Sequence, residues 1–213
     1  MNGGALDRVI KRAARPREAP EERCDLCGAP VGGMHRHVLQ TERQELLCAC
    51  TACSLLFEQD GAARGRYRLV PDRRVRLDGE ELLGRLDVPV GLAYFVKSTA
   101  EGRVVAQYPS PMGATRWELD VTTWAELEAR LPQLRELRPD VEALLVNTMR
   151  GANDCWIVPI DDCYRLVALL RREWRGLSGG SRVWGEVQAF FGRLQQSRRQ
   201  PPEGPGSSGG SHG

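Results

Sequence analysis

The sequence predicts an α+β protein: a small cysteine-rich module near the N-terminus, then a mixed, mostly antiparallel sheet with helices packed against it. Three observations lead there. Five of the seven cysteines fall between Cys24 and Cys53, in the paired spacing that metal-binding loops use. Short β-type runs follow, among them VGLAYFV (90–96), which is apolar on both faces as a central strand is. Two stretches with apolar residues at helical spacing close the chain, Asp161 to Trp174 and Val183 to Leu194.

Residues 1–22 read as a flexible basic arm. Leu6, Val9 and Ile10 form one amphipathic turn, Pro16 and Pro20 stop it, and Arg8, Lys11, Arg12, Arg15 and Arg17 supply the charge. Residues 23–60 form the cysteine-rich module. Within it HRHVLQ (35–40) and QELLCA (44–49) read as two short strands joined by the polar Thr41, Glu42 and Arg43. Thr51 to Gln59 reads as a helix with Leu55, Leu56 and Phe57 as its packing residues, and Gly61 to Gly65 as a small-residue linker.

Residues 61–197 read as the α+β domain. Its strand candidates are Tyr67 to Val70, Arg73 to Leu77, Val90 to Lys97, Arg103 to Tyr108 and Thr115 to Leu119. Thr123 with Glu126 suggests a capping box for a helix whose Trp124, Leu127 and Leu131 share a face, and Pro132 forces a second short piece. Val141 to Val146 and Cys155 to Ile160 pair across NTMRGAND. Asp161 is the expected N-cap of the next helix. The tail from 198 to 213, QPPEGPGSSGGSHG at its end, lacks the apolar residues that offset ordering entropy and is expected to be disordered.

The chemistry concentrates in the module. Cys24 and Cys27, then Cys50 and Cys53, are two Cys-x2-Cys pairs separated by about the interval at which two loops present four thiolates to one tetrahedral zinc ion. Cys48 is a fifth candidate, which leaves open whether Cys48 or Cys50 is the ligand. Gly28 after Cys27 allows a positive φ that aims N–H groups at sulfur. His35 and His37, two apart on a strand, share a face. They replace two thiolates, form a separate polar site, or hydrogen-bond the ligands; four cysteines already complete a closed site, which favours the last role or a surface one. Cys155 and Cys163 stand apart and read as core thiols.

Elsewhere the sequence offers no catalytic residue to assign. The larger domain has no histidine, which removes the commonest general base. Asp161 and Asp162 fit a helix start better than an acid/base couple. GLSGGS (176–181) fits an interhelical turn better than an anion cradle, because no strand precedes it and no P-loop lysine follows. The balance of 30 basic and 28 acidic residues gives a net charge of +2, so no field of one sign favours nucleic acid as a partner. The arginines from Arg64 to Arg76 alternate with Tyr67, Leu69 and Val75, as on solvated strand faces. No hydrophobic segment follows Met1 and no run approaches membrane-spanning length, so the expectation is a cytoplasmic protein without membrane insertion, where disulfides are uncommon.

Knuckle, hairpin and a helix carrying the second pair resemble a treble-clef zinc finger. CDLCG, HRHV and LCACTAC resemble, in order, the zinc-bearing HNH-type endonucleases, which implies His35 or His37 as a general base. The Asn that family places before the second Cys pair is absent, and Ser54 stands where it has His. The two Cys-x2-Cys loops also resemble rubredoxin, with Gly28 matching the first loop and Ser54 departing from the second; iron is therefore the alternative to zinc. Over residues 22 to 196, GLAYFVKS, YPSPMGAT, PDVEALLVN and VPIDDCYRLVALLRREWRGLSGG are similar to an actinobacterial family of unknown function encoded near high-affinity nickel-iron hydrogenase genes. That resemblance implies hydrogenase subunits or maturation factors as partners. The resulting expectation is a non-enzymatic, zinc-binding accessory protein. A rubredoxin-like electron carrier and a nucleic-acid-binding protein with a degenerate HNH-like module are the alternatives.

Overall fold

The computed structural model describes residues 22–33, 35–59, 62–78, 86, 88, 91–175 and 180–197. Residues 1–21, Gly61, most of GLSGGS and the tail from 198 lie outside the described residues. Among the described residues no helix is long and apolar enough to cross a membrane.

The described residues contain two antiparallel sheets. The smaller contains β1 (Arg36–Gln40), β2 (Glu45–Ala49) and β3 (Tyr67–Leu69) in the order β2-β1-β3. Residues 41–44 turn β1 into β2, with Gln44 at φ 53° and its amide donating to the Thr41 carbonyl. Helix α1 (Thr51–Leu55) follows β2 directly. It is shorter than the sequence suggests, and Leu55 and Leu56 are 57% and 69% exposed instead of packed. With one and a half turns the helix presents a single inward face; Ser54 takes the buried place, its hydroxyl donating to the Thr51 carbonyl. Phe57 does pack, against Tyr67 at 5.8 Å between ring centroids. The strand at Tyr67 is where sequence puts it, but it pairs with β1 of the small sheet, Val38 opposite Leu69.

The larger sheet has six strands: β4 (Val75–Arg76), β5 (Leu92–Ser98), β6 (Arg103–Ser110), β7 (Gly113–Trp117), β8 (Glu142–Asn147) and β9 (Asp154–Pro159). Their order is β4-β9-β8-β5-β6-β7, and every pairing is antiparallel. β5, the apolar run, lies inside the sheet, and Leu92 to Val96 are all buried. Successive side chains point to opposite faces, so each inner strand feeds two cores. Leu92, Tyr94 and Val96 of β5, Ala143 and Leu145 of β8, and Trp156 and Val158 of β9 face one side. Ala93, Phe95, Leu144, Val146, Cys155 and Ile157 face the other.

The second face is covered by α2 (Val121–Arg130) and the 3-10 turn Pro132–Glu136, through Trp124, Leu127, Leu131 and Leu134. Helix α2 starts two residues before the expected capping box. Asp120 is its N-cap and accepts the Thr122 hydroxyl. The first face is covered by α3 (Ile160–Glu173) and α4 (Gly180–Ser197) through Cys163, Leu166, Leu170, Val183, Val187, Phe190 and Phe191. Cys155 and Cys163 are buried core thiols, and burial holds both pKa values up, that of Cys155 to about 12.

Leu39 of β1 and Val70 after β3 join that same first core, with Leu46 packed against it. The small sheet is therefore seated on the α3 side of the molecule. Arginines fasten the join. Arg74 donates bidentately to Asp162 (2.6 and 3.0 Å), and Arg73 does the same to the fully buried Glu142 (2.6 and 3.1 Å). The bidentate fork is the geometry in which arginine best neutralises a carboxylate. This packing brings β1, α1 and the start of α3 around one cleft.

Candidate metal centre

The first cysteine pair sits on a loop closed by backbone bonds. Cys24 N–H donates to the Ala29 carbonyl and Val31 N–H to that of Glu22, while Gly28 N–H returns to the Cys24 carbonyl (2.8 Å). Gly28 has φ +74°, the left-handed region that the loop needs and that glycine enters at no steric cost. Asp25 then docks the loop on β2: its carboxylate accepts the Cys48 N–H at 2.7 Å and its own N–H donates to the Cys48 carbonyl at 2.9 Å. The second pair opens α1. Cys50 is the N-cap, its sulfur accepting the Cys53 N–H at 3.5 Å.

These two loops bring four sulfurs together. The Sγ atoms of Cys24, Cys27, Cys50 and Cys53 all lie within 4.8 Å of one another, with Cys27 and Cys50 at 3.7 Å. A tetrahedron of thiolates at the usual zinc–sulfur bond length has edges of about 3.8 Å, whereas a disulfide needs about 2.05 Å. All seven cysteines are free. The donor set thus fits a four-coordinate metal ion.

The electrostatics fit the same use. Cys24, which is buried, has its pKa lowered to about 6 by the Cys50 N–H, against the opposing effect of burial, with further help from the N–H groups of Leu26 and Cys27. Cys27 feels the Ala29 N–H in the same sense, but the Cys24 thiol beside it leaves its pKa raised. Cys53 is pushed up to about 12, first by its hydrogen bonds with Cys27 and Cys50. One negative charge is welcome in the nest of N–H groups and its neighbours must then stay protonated. A cation among the sulfurs removes that conflict, and all four thiolates become stable together.

The remaining three candidates gather elsewhere. Cys48 lies opposite His37 across β1 and β2, and one donor atom each of His35, His37 and Cys48 lie within 4.8 Å of one another as a second group. Cys50 belongs with the four sulfurs and Cys48 with the imidazoles. His35 Nδ1 is 2.9 Å from the Gly32 carbonyl, and His37 Nδ1 is 3.1 Å from Asp161 Oδ2. Asp161 is therefore not the N-cap of α3, which is Pro159; it lies buried in the first turn. Burial works against its ionisation, yet its pKa is lowered by the His37 hydrogen bond and by Arg165 and Arg74. Sequence reading missed this contact. The two residues are far apart in the chain, and only the docking of Leu39 and Val70 onto the α3 face brings them together.

A cleft of about 710 Å³ opens at this junction, lined among others by His35, Arg36, His37, Arg74, Asp161 and Arg165. Compared with known proteins, residues 23–198 match the model of one family, described as a family of unknown function (DUF5947). No curated protein and no solved structure matches the chain.

Proposed function

The chain belongs to the DUF5947 family, and on its own geometry we propose that it is a non-enzymatic accessory protein whose N-terminal module is folded by Zn²⁺ and acts by docking a partner. The observation that carries this reading is the set of four sulfurs from two loops within 4.8 Å of one another. Cys24, Cys27, Cys50 and Cys53 would hold the ion, which supplies charge neutralisation and crosslinking instead of chemistry, because four protein ligands leave it no open position. Loop, hairpin and α1 then form a unit like a treble clef. Zinc is favoured over iron because Ser54 follows the second pair where a rubredoxin loop has glycine.

Docking is supported by what the module leaves outside. Leu55 and Leu56 stand exposed at the end of α1, and Leu26 is exposed within the Cys24–Cys27 loop. Apolar side chains held outward on a metal-fixed scaffold are the kind of anchor a protein partner uses. The similarity to the actinobacterial family encoded near nickel-iron hydrogenases supports hydrogenase subunits or their maturation factors as that partner, in the cytoplasm. Balanced charge argues against nucleic acid.

Two measurements test the reading. Metal analysis of the purified chain should find zinc in the tetrathiolate site; a red, reducible iron protein would instead make it an electron carrier. Co-purification with tagged full-length chain should recover hydrogenase subunits or maturation factors, and Leu55→Asp with Leu56→Asp should abolish it. Recovery of neither class of partner from cells expressing both would sink the accessory role.

A further inference from the structure

The second donor cluster stands apart from the four sulfurs and has features that a pair of packed histidines does not need. His37 lies on β1 with Cys48 on β2 as its cross-strand partner, and His35 immediately precedes the strand with its ring against that of His37. The two imidazoles lie 4.8 Å apart between centroids, tilted by 57°. In each ring Nδ1 has a partner that accepts its proton, the Gly32 carbonyl for His35 and the Asp161 carboxylate for His37. Glu22 Oε2 also lies 3.5 Å from His35 Nδ1. In the neutral form of each ring, an Nδ1–H donated to these partners leaves the lone pair on Nε2. A carboxylate or carbonyl on one nitrogen is how proteins orient histidines that bind metal through the other.

The decisive atom is His35 Nε2. Its side chain is 9% exposed, and this nitrogen is buried without any hydrogen-bond partner. Buried polar atoms are nearly always satisfied, so an orphaned lone pair beside a second imidazole and a thiol points to a ligand. A zinc-class ion bound by two imidazoles and a thiolate needs N–S edges of roughly 3.6 Å, and one nitrogen of each ring already lies within 4.8 Å of the other and of the Cys48 sulfur. We propose that His35 Nε2, His37 Nε2 and Cys48 Sγ bind a second divalent transition-metal ion, with Asp161 orienting His37.

Three protein ligands give a different kind of centre from the tetrathiolate. The fourth position stays exchangeable, as it does in catalytic zinc sites and not in structural ones. His35 and His37 are among the residues that line the cleft, together with Arg36, Arg74 and Arg165. Water or a small anion is the ligand this position would take. Two imidazoles with one thiolate suit zinc, copper, nickel or cobalt and disfavour magnesium and calcium.

Cobalt(II) is the probe, because its visible spectrum separates a tetrathiolate from an imidazole–thiolate centre. Anaerobic titration of the full chain should load two equivalents, and azide should perturb the bands of one only. His35→Ala and Cys48→Ser should each remove the azide-sensitive equivalent while the tetrathiolate bands persist, which also shows that the variants are folded. Asp161→Asn should weaken that equivalent by about 10- to 100-fold without abolishing it. Unchanged cobalt content in both His35→Ala and Cys48→Ser, or bands that ignore azide, would overturn the proposal. The tetrathiolate bands in His35→Ala and Cys48→Ser test the first reading by themselves: their absence from every variant and from the parent would sink that reading, and loss of only the azide-sensitive bands supports the second, so the two readings fail separately.

Discussion

With zinc in the proposed tetrathiolate site, its removal should unfold the N-terminal module and leave the six-stranded sheet in place. The described residues among 22–59 include few buried apolar side chains: Cys24, Val38, Leu39 and Ala49, of which only Val38 and Leu39 are large. At about 2 kcal/mol for each large side chain, burial there contributes on the order of 4 kcal/mol. A structural zinc ion contributes on the order of 10 kcal/mol or more, so it outweighs the apolar term. The six-stranded sheet is built differently, with two cores that between them bury Tyr94, Phe95, Leu144, Leu145, Trp156 and Ile157. Native-state hydrogen exchange with and without a strong chelator reads the difference. Amides of β1, β2 and α1 should exchange faster by roughly a thousandfold or more on chelation. Those of β5 and β8 should change little, apart from those nearest Leu39 and Val70. Equal protection of β1 and β2 in both states would refute the reasoning, because the hairpin would then be standing on side-chain packing alone.

Three further outcomes follow from the fold. Arg73→Ala leaves Glu142, fully buried, with only the Arg138 N–H among the described residues; since solvent reaches Arg73, a loss of about 2–3 kcal/mol is expected, below the range for a fully buried pair, and urea unfolding measures it. Gly91→Ala should cost about 2 kcal/mol, because Gly91 has φ +70° and a Cβ there meets Met149 Cγ at 3.0 Å and Thr148 Oγ1 at 3.1 Å; a melting temperature equal to the parent's would contradict this. Burial disfavours ionisation of Glu128, but its ion pair with Lys97 at 2.8 Å holds its pKa below the ordinary value of 4.5. A depressed carboxylate adds stability that is complete above its unfolded pKa and disappears as pH falls through the folded one, so Glu128→Gln should lower stability modestly at neutral pH, flatten the acid limb, and converge with the parent as pH falls below about 4.5. An acid limb identical to the parent's would mean the pair contributes nothing.

Much of the element order was legible because periodicity and turn chemistry are local. Every strand named from sequence is present, and the apolar run at Leu92 lies inside the sheet because a strand buried on both faces must be apolar on both. Helix starts were read less well. Thr123 with Glu126 carries the pattern of a capping box, yet Asp120 begins α2; Asp161 looks like a cap, yet it lies one turn-step inside α3, buried against His37 and Arg165. A cap pattern states which residues suit an end, whereas packing of Trp124 and Leu127 or of Cys163 and Leu166 decides where the helix starts.

At the metal centre the sequence by itself determined which atoms are available: two Cys-x2-Cys pairs, a spare cysteine and two histidines on one strand face. It did not determine how they divide, because Cys48 and Cys50 both lie within five residues of Cys53 along the chain. Pleating decides that. Cys48 ends up across from His37, and Cys50 leaves the strand to cap α1, so its sulfur turns to Cys27. The His37–Asp161 contact and the cleft belong to tertiary structure alone. They exist because Leu39 and Val70 are buried in the same core as α3, and hydrophobic burial joins surfaces that no interval along the chain records.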